Sequence, residues 1–279
     1  MRARPLAVSL AVAVSGGSGM SRADPPPPVP SPVSISDERL VLSGDGSSLS
    51  GGSGGAGASA TWLHNTGSPG SAIGVGAEYQ QIANSHWTTA NLSGSLGFGQ
   101  PKPTTDIYAE LHEGAGDTGA HAFHYSVIAG GVYRTLTPQL MLQLEERRID
   151  VDTTHGNLPK VGLAYYPTPQ LLLSASYAYS LGGNLGTKLA ELRVDYRGPA
   201  LGGLFGVAWG PVAPAVVNLL GQVVVPSPNL KEAFLGLTIP AGRTTEWLLL
   251  GDYQDIAGIK RATITLTCTV HLPAARRTS

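Results

Sequence analysis

Beyond residue 60 apolar and polar residues alternate almost one for one, and turn-forming clusters interrupt the alternation. The sharpest case is LAELRVDYR: Ala190, Leu192, Val194 and Tyr196 share one face, and Glu191, Arg193, Asp195 and Arg197 share the other. Successive side chains of a strand point to opposite faces, so this period of two predicts β structure. RATITLTCTVHL sets Ala262, Ile264, Leu266, Cys268, Val270 and Leu272 against Thr263, Thr265, Thr267, Thr269 and His271. AIGVGAEYQ groups Ile73, Val75, Ala77 and Tyr79, and QLMLQLE groups Leu140, Leu142 and Leu144 opposite Gln139, Gln143 and Glu145. LLLSASYAYSL places Leu171, Leu173, Ala175, Tyr177 and Tyr179 opposite Ser174, Ser176 and Ser180, and FHYSVIAGGVYR gathers Phe123, Tyr125, Val127, Ala129 and Tyr133. No stretch carries a convincing helical period.

Counted in this way, residues 71–272 predict about twelve strands, and the apolar stretch within 210–229 could add two more to give fourteen. The connections differ in character. TLTP (135–138), YPTP (166–169), RGPALGG (197–203) and PAGRTT (240–245) read as tight turns, whereas DVDTTHGN (150–157), SLGGNLGT (180–187) and residues 210–229 read as longer loops. Tight turns at one end and loops at the other is the layout of an antiparallel up-and-down transmembrane β-barrel, and an even strand number brings both ends of the barrel to the tight-turn side.

Composition bears on which face meets water. Charged residues make up 13% of the chain, about half the ~25% of ordinary soluble domains, and 37 glycines fill much of the difference. A secreted β-sandwich that binds a ligand is the alternative; it would turn the polar faces to water, carry more surface charge and leave edge strands to protect. Aromatic placement favours the barrel. Tyr133, Tyr165, Tyr166, Tyr196 and Trp247 flank the tight turns, and Tyr79, Trp87, Tyr179, Trp209 and Tyr253 flank the opposite ends. Two such belts suit the two bilayer interfaces.

The N-terminus reads as an export signal. Arg2 and Arg4 precede the apolar run PLAVSLAVAV, and Ser21 and Ala23 fit the small-residue positions of a cleavage site after Ala23. The run is too short to span a bilayer. Residues 24–58 are rich in Pro, Gly and Ser and predict a disordered lead-in, with a brief extended piece at 38–43; such composition buries little. SATWLHN (59–65) is a lead-in strand or a lid, the barrel proper is expected over 59–272, and 273–279 form a tail. The single cysteine, Cys268, excludes an intrachain disulfide framework and a cysteine-built zinc site. A net charge of −1 gives no footprint for a nucleic-acid partner.

In a barrel the polar faces line the lumen. Glu145 and Arg147 on one strand and Glu191, Arg193, Asp195 and Arg197 on another then form mixed-charge rows. Those rows cross-link the interior or line a path for a polar solute. A Ser–His–acid set could be assembled from Ser126, His124, His112 and Glu110, but abundant serines make such combinations easy, and no catalytic residue, metal site or cofactor is expected.

The chain also resembles a family. AEYQQIANSHWTTANLSGSLGF, YRTLTPQLMLQLEERRID, VGLAYYPTPQLLLSASYAYSLGG and GLTIPAGRTTEWLLLGDYQDIAGIKRATITL, in that order, are similar to the YaiO-type outer-membrane β-barrels. The resemblance spans about residues 70–272. It implies a barrel of about twelve strands in the outer membrane of a Gram-negative cell, contacting lipid and lipopolysaccharide and inserted by the barrel-assembly machinery; read together with the residues, it is expected to be non-enzymatic. Related barrels close export systems for some exopolysaccharides, which makes a polysaccharide the implied cargo beside the small polar solute that the charged lumen rows suggest. A barrel enzyme acting on lipid or lipopolysaccharide is the alternative of another class.

Overall fold

The computed structural model describes residues 38–272 apart from 51, 67–70, 100–103, 120–121, 152–153, 199, 213–228, 243 and 257. The expected signal peptide, residues 24–37 of the lead-in, the tail and most of 210–229 lie outside the described residues.

Fourteen antiparallel strands follow in chain order: β1 (Glu38–Leu49), β2 (Gly54–Asn65), β3 (Ala72–Ile82), β4 (Ser85–Phe98), β5 (Thr105–Asp117), β6 (Ala122–Thr137), β7 (Leu140–Val151), β8 (Thr154–Thr168), β9 (Leu171–Tyr179), β10 (Lys188–Arg197), β11 (Gly202–Pro211), β12 (Asn229–Ala241), β13 (Thr245–Ile256) and β14 (Ile259–Leu272). Each pairs with its sequence neighbours, and β14 returns to β1 to close the sheet. Closure leaves no edge, so the backbone donors and acceptors of every strand meet a partner within the wall. Glu38 opposes Leu272, which puts the outer ends of β1 and β14 together at one rim. The turns at 138–139, 169–170, 198–201 and 242–244 lie on this terminus side, as the tight-turn pattern predicts. The opposite rim, the loop end, carries the connection 180–187, the end of β11 and the start of β12.

The strand count departs from twelve, and the reason lies upstream of residue 66. β3 to β14 are the twelve strands of the stretch 71–272; the other two are β1 and β2, which take up about half of the segment expected to be a disordered linker, β2 continuing into the expected lead-in strand 59–65. Fourteen strands are therefore reached without any drawn from 213–228. Side-chain burial does not hold β1 and β2: Gly44, Gly46, Ala56, Ala58 and Ala60 form much of their outward face. Their ladders to each other and to β14 and β3 run nearly their full length. A small residue is required inside as well at Gly55, where a Cβ would sit 2.5 Å from the Gln81 carbonyl oxygen. DVDTTHGN is also mostly strand, forming the tip of the β7–β8 hairpin around 152–153.

The outer surface is apolar all round. Leu42, Val75, Leu96, Ile107, Leu144, Leu163, Leu192, Phe205, Leu235, Leu249, Ile264 and Leu266 are all exposed. Apolar exposure that encircles a closed sheet exceeds what a water-soluble monomer carries and matches the lipid-facing band of a membrane barrel. β14 shows the alternation in one strand: Leu266 is 47% exposed while Thr263 and Thr267, on the inner face, are each 7% exposed.

Candidate functional site

The interior is layered along the barrel axis. Toward the loop end nearly every strand turns an apolar side chain inward, and Leu49, Ile82, Trp87, Phe123, Val151, Leu158, Leu189, Leu230 and Ile256 belong to one buried cluster. Leu185, from the connection between β9 and β10, folds into it and is 1% exposed. Three expectations are corrected by the inward faces. The apolar face of β6 (Phe123, Tyr125, Val127 and Ala129) points into the barrel, with His124, Ser126 and Ile128 outside. Trp87 is buried in the same cluster and is no interface residue. Tyr133 also lies inside, stacked on Tyr108 with ring centroids 5.3 Å apart. Room for these rings comes from glycine on the neighbouring strands: a Cβ on Gly114 would overlap Tyr125, and one on Gly131 would overlap Tyr108.

The other expected interface aromatics are outside, apart from Tyr166. Tyr165, Tyr196 and Trp247 are exposed toward the terminus end, and Tyr79, Tyr179, Trp209 and Tyr253 toward the loop end. Lys188 Nζ sits 5.2 Å above the Tyr179 ring, as suits a bilayer rim where aromatic and cationic groups gather. Tyr166 is half-buried beside the register shift that ends β8.

Beneath the apolar layer lies a polar belt. Glu145 accepts from Arg147 Nε and from the Tyr108 hydroxyl, and Lys160 Nζ lies 3.7 Å from its second oxygen. Arg193 binds Asp195 through two nitrogens, Nε to Oδ2 at 2.8 Å and Nη2 to Oδ1 at 2.6 Å. Such forked, charge-assisted pairs hold both groups in one orientation. Glu191 lies on the same inward face, within electrostatic reach of Lys160, Arg193 and Glu232, and Arg197 lies on that face nearer the terminus end. The belt continues around residues that sequence reading passed over. Gln80 Nε2 donates to Asp45 Oδ1 at 2.8 Å; Gln254 Nε2 donates to Glu232 Oε1 at 3.0 Å; Ser43 and Thr267 share a hydrogen bond of 2.9 Å. Glu78, Asp252 and Arg261 complete it. On β13 the inward positions read Leu248, Leu250, Asp252 and Gln254, so the alternation that marks other strands is lost there.

The residues of the nucleophilic combination are divided by the wall. Glu110 and His112 face inward with 3.5 Å between them. Outside, Ser126 Oγ donates to Glu113 Oε1 at 2.7 Å and His124 Nε2 lies 3.3 Å from Glu113 Oε2. The carboxylate thus stands between the hydroxyl and the imidazole, whereas an activated serine needs the imidazole in the middle. No group of three or more His, Cys, Asp or Glu able to hold a metal occurs among the described residues.

No family model and no curated protein matches the chain. Solved structures do. The monoaromatic hydrocarbon channel TodX, as its deltaS2S3 mutant, superposes with a TM-score of 0.58 at 9% identity, over 85% of this chain and 91% of that one. A bacterial polysaccharide outer membrane secretin gives 0.55 at 10% identity, covering 85% and 99%. A Pseudomonas aeruginosa FadL homologue gives 0.53 at 8% identity, covering 84% and 90%. At these identities the likeness establishes the fold. The chain is a closed, antiparallel, fourteen-stranded transmembrane β-barrel of the kind found in outer membranes.

Proposed function

We propose that this protein is a non-enzymatic outer-membrane channel of a Gram-negative cell, exported through its N-terminal signal. One observation carries the reading: the polarity of a soluble domain is inverted, with an apolar band outside and an ion-paired, hydrogen-bonded belt inside. A charged interior suits a small polar solute or a segment of an envelope polysaccharide better than a hydrocarbon, because each buried charge is kept hydrated or paired along the route. The likeness to the polysaccharide secretin and to the TodX channel supports transport as the class of function. The sequence resemblance to the YaiO-type barrels supports a role in the cell envelope, with outer-membrane lipid, lipopolysaccharide and the barrel-assembly machinery as the molecules it meets.

The test has two steps. Fractionated cells should yield the protein in the outer membrane, migrating faster on a gel unheated than boiled; recovery as a water-soluble monomer would refute the reading. In planar bilayers it should then conduct, while a sealed bilayer at every protein concentration would reduce it to a closed scaffold.

A further inference from the structure

The two sides of the polar belt are not balanced alike. On the side of β7, β8 and β10, Glu145 is matched by Arg147 and Lys160, and Asp195 by Arg193. On the side of β12, β13, β14 and β1, Arg261 is the guanidinium among the described belt residues that faces Asp252, Asp45 and Glu232, and its Nε is engaged by Thr263 Oγ1 at 3.0 Å. Arg39, on the same inward face of β1, lies away from the belt at the terminus rim, opposite His271. Three carboxylates against one guanidinium leave two negative charges.

The deficit is focused at one place. Glu232 and Gln254 are register partners on β12 and β13, and Asp252, the preceding inward residue of β13, lies within hydrogen-bonding reach of Glu232. Glu232 and Gln254 are 8% and 6% exposed, so both are more than nine-tenths buried. Gln254 spends its amide nitrogen on Glu232, while its carbonyl oxygen, like Asp252 Oδ2, is shut from solvent without a hydrogen-bond partner. Turning the amide over does not relieve this, since it would set the carbonyl oxygen against the Glu232 carboxylate. Buried acceptors without donors are costly, and adjacent carboxylates repel unless a cation or a shared proton lies between them. Carboxylate and amide-carbonyl oxygens, completed by water, are the donors that calcium-type ions take.

We propose that Glu232, Asp252 and the Gln254 carbonyl form a binding station for a hard divalent cation in the barrel wall. It cancels the two-charge deficit, satisfies both orphaned oxygens and ties β12 to β13. The station goes beyond the channel reading, because it exists whether or not a solute passes; where one passes, the same charges favour cations.

Calcium is the probe. In detergent, the temperature at which the folded, fast-migrating form converts to the slow one is measured in calcium chloride and in choline chloride of equal ionic strength. The wild type should convert a few degrees higher in calcium, a shift that ligand linkage requires. The shift should vanish in Glu232→Gln and Asp252→Asn and persist in Glu146→Gln, an outward acid. In chelator, Asp252→Asn should outlast the wild type, because it removes the uncompensated charge. A wild type indifferent to calcium would mean that the carboxyls share a proton, and an equal shift in all variants would mean that calcium acts elsewhere; either overturns the station. Equilibrium dialysis of the wild type against radioactive calcium gives a second measure that needs no variant, with saturable binding of one ion per barrel expected and its absence decisive against. A bilayer without conductance would refute the channel reading and leave these results standing.

Discussion

At the scale of single residues, facing decides cost. Leu266 meets lipid and Thr265, beside it on β14, meets the interior. Leu266→Arg near mid-bilayer should cost roughly 2–4 kcal/mol, and Thr265→Arg clearly less; denaturant unfolding in lipid vesicles gives both, and equal losses would refute the face assignment. Pairing decides cost inside. Arg147→Ala leaves Glu145 buried with its nearest base gone, and breaking such a pair costs about 3–5 kcal/mol. Replacing both together, Glu145→Gln with Arg147→Met, should recover most of that loss in the same unfolding measurement. Backbone conformation decides it at Ala83, which turns the β3–β4 hairpin at a φ of 55°. A left-handed conformation costs a residue with a Cβ roughly 1–2 kcal/mol, and glycine is free of that strain. Ala83→Gly should therefore raise the unfolding midpoint, unlike most glycine substitutions in a strand-rich protein.

At the scale of strands, closure rests on the element that looks least like a strand. Leu42 on β1 is the register partner of Cys268 on β14, and facing residues of an antiparallel pair have the Cα separation a disulfide needs. Leu42→Cys should therefore cross-link to the native Cys268 under oxidation, giving a form that stays compact when boiled without reductant. Leu40→Cys, two residues out of register, should not. A twelve-stranded barrel beginning near residue 71 would leave Leu42 unlinked, so the experiment separates the two counts. The same strands show what a sequence can and cannot reveal. β3, β9, β10 and β14 are legible because their two faces differ in polarity. β1 and β2 are not, because glycine, alanine and serine occupy both faces and carry no periodic signal; ladder hydrogen bonds hold them, and every non-proline residue can make those. β6 is legible as a strand but not in its facing, since its bulky side chains Tyr125 and Phe123 enter the barrel over Gly114 and Gly116 of the neighbouring strand. In the polar belt the β10 row stands opposite a clean apolar face and Glu145 continues the alternation of Gln143 with Leu142 and Leu144, whereas Asp252 and Gln254 follow two inward leucines and are masked by them.

At the scale of the whole barrel, the polar belt and the apolar layer oppose each other as a route. The belt would admit a hydrated solute, but the described side chains at the loop end form a mainly apolar layer, in which the buried polar groups Ser85, Thr89, Thr154 and Thr187 are few and uncharged. Trp87 is 4% exposed and Leu185 1%, so both fill space that a solute would otherwise cross. A narrow apolar constriction excludes ions by dewetting even before it is sterically shut. Small-probe conductance of the wild type should accordingly be low, and Trp87→Ala and Leu185→Ala should each raise it. These gains come with losses: removing a buried tryptophan side chain costs about 3–5 kcal/mol and a leucine about 2–5. The variants should therefore conduct more and convert to the slow-migrating form at lower temperature. Substitutions of similar size in the lipid-facing band, such as Trp209→Ala, weaken the barrel without touching the layer and should leave conductance unchanged. That contrast isolates the constriction from general loosening. If Trp87→Ala and Leu185→Ala lower stability yet conduct as the wild type does, the apolar layer is packing alone and the resistance of the route lies in the polar belt.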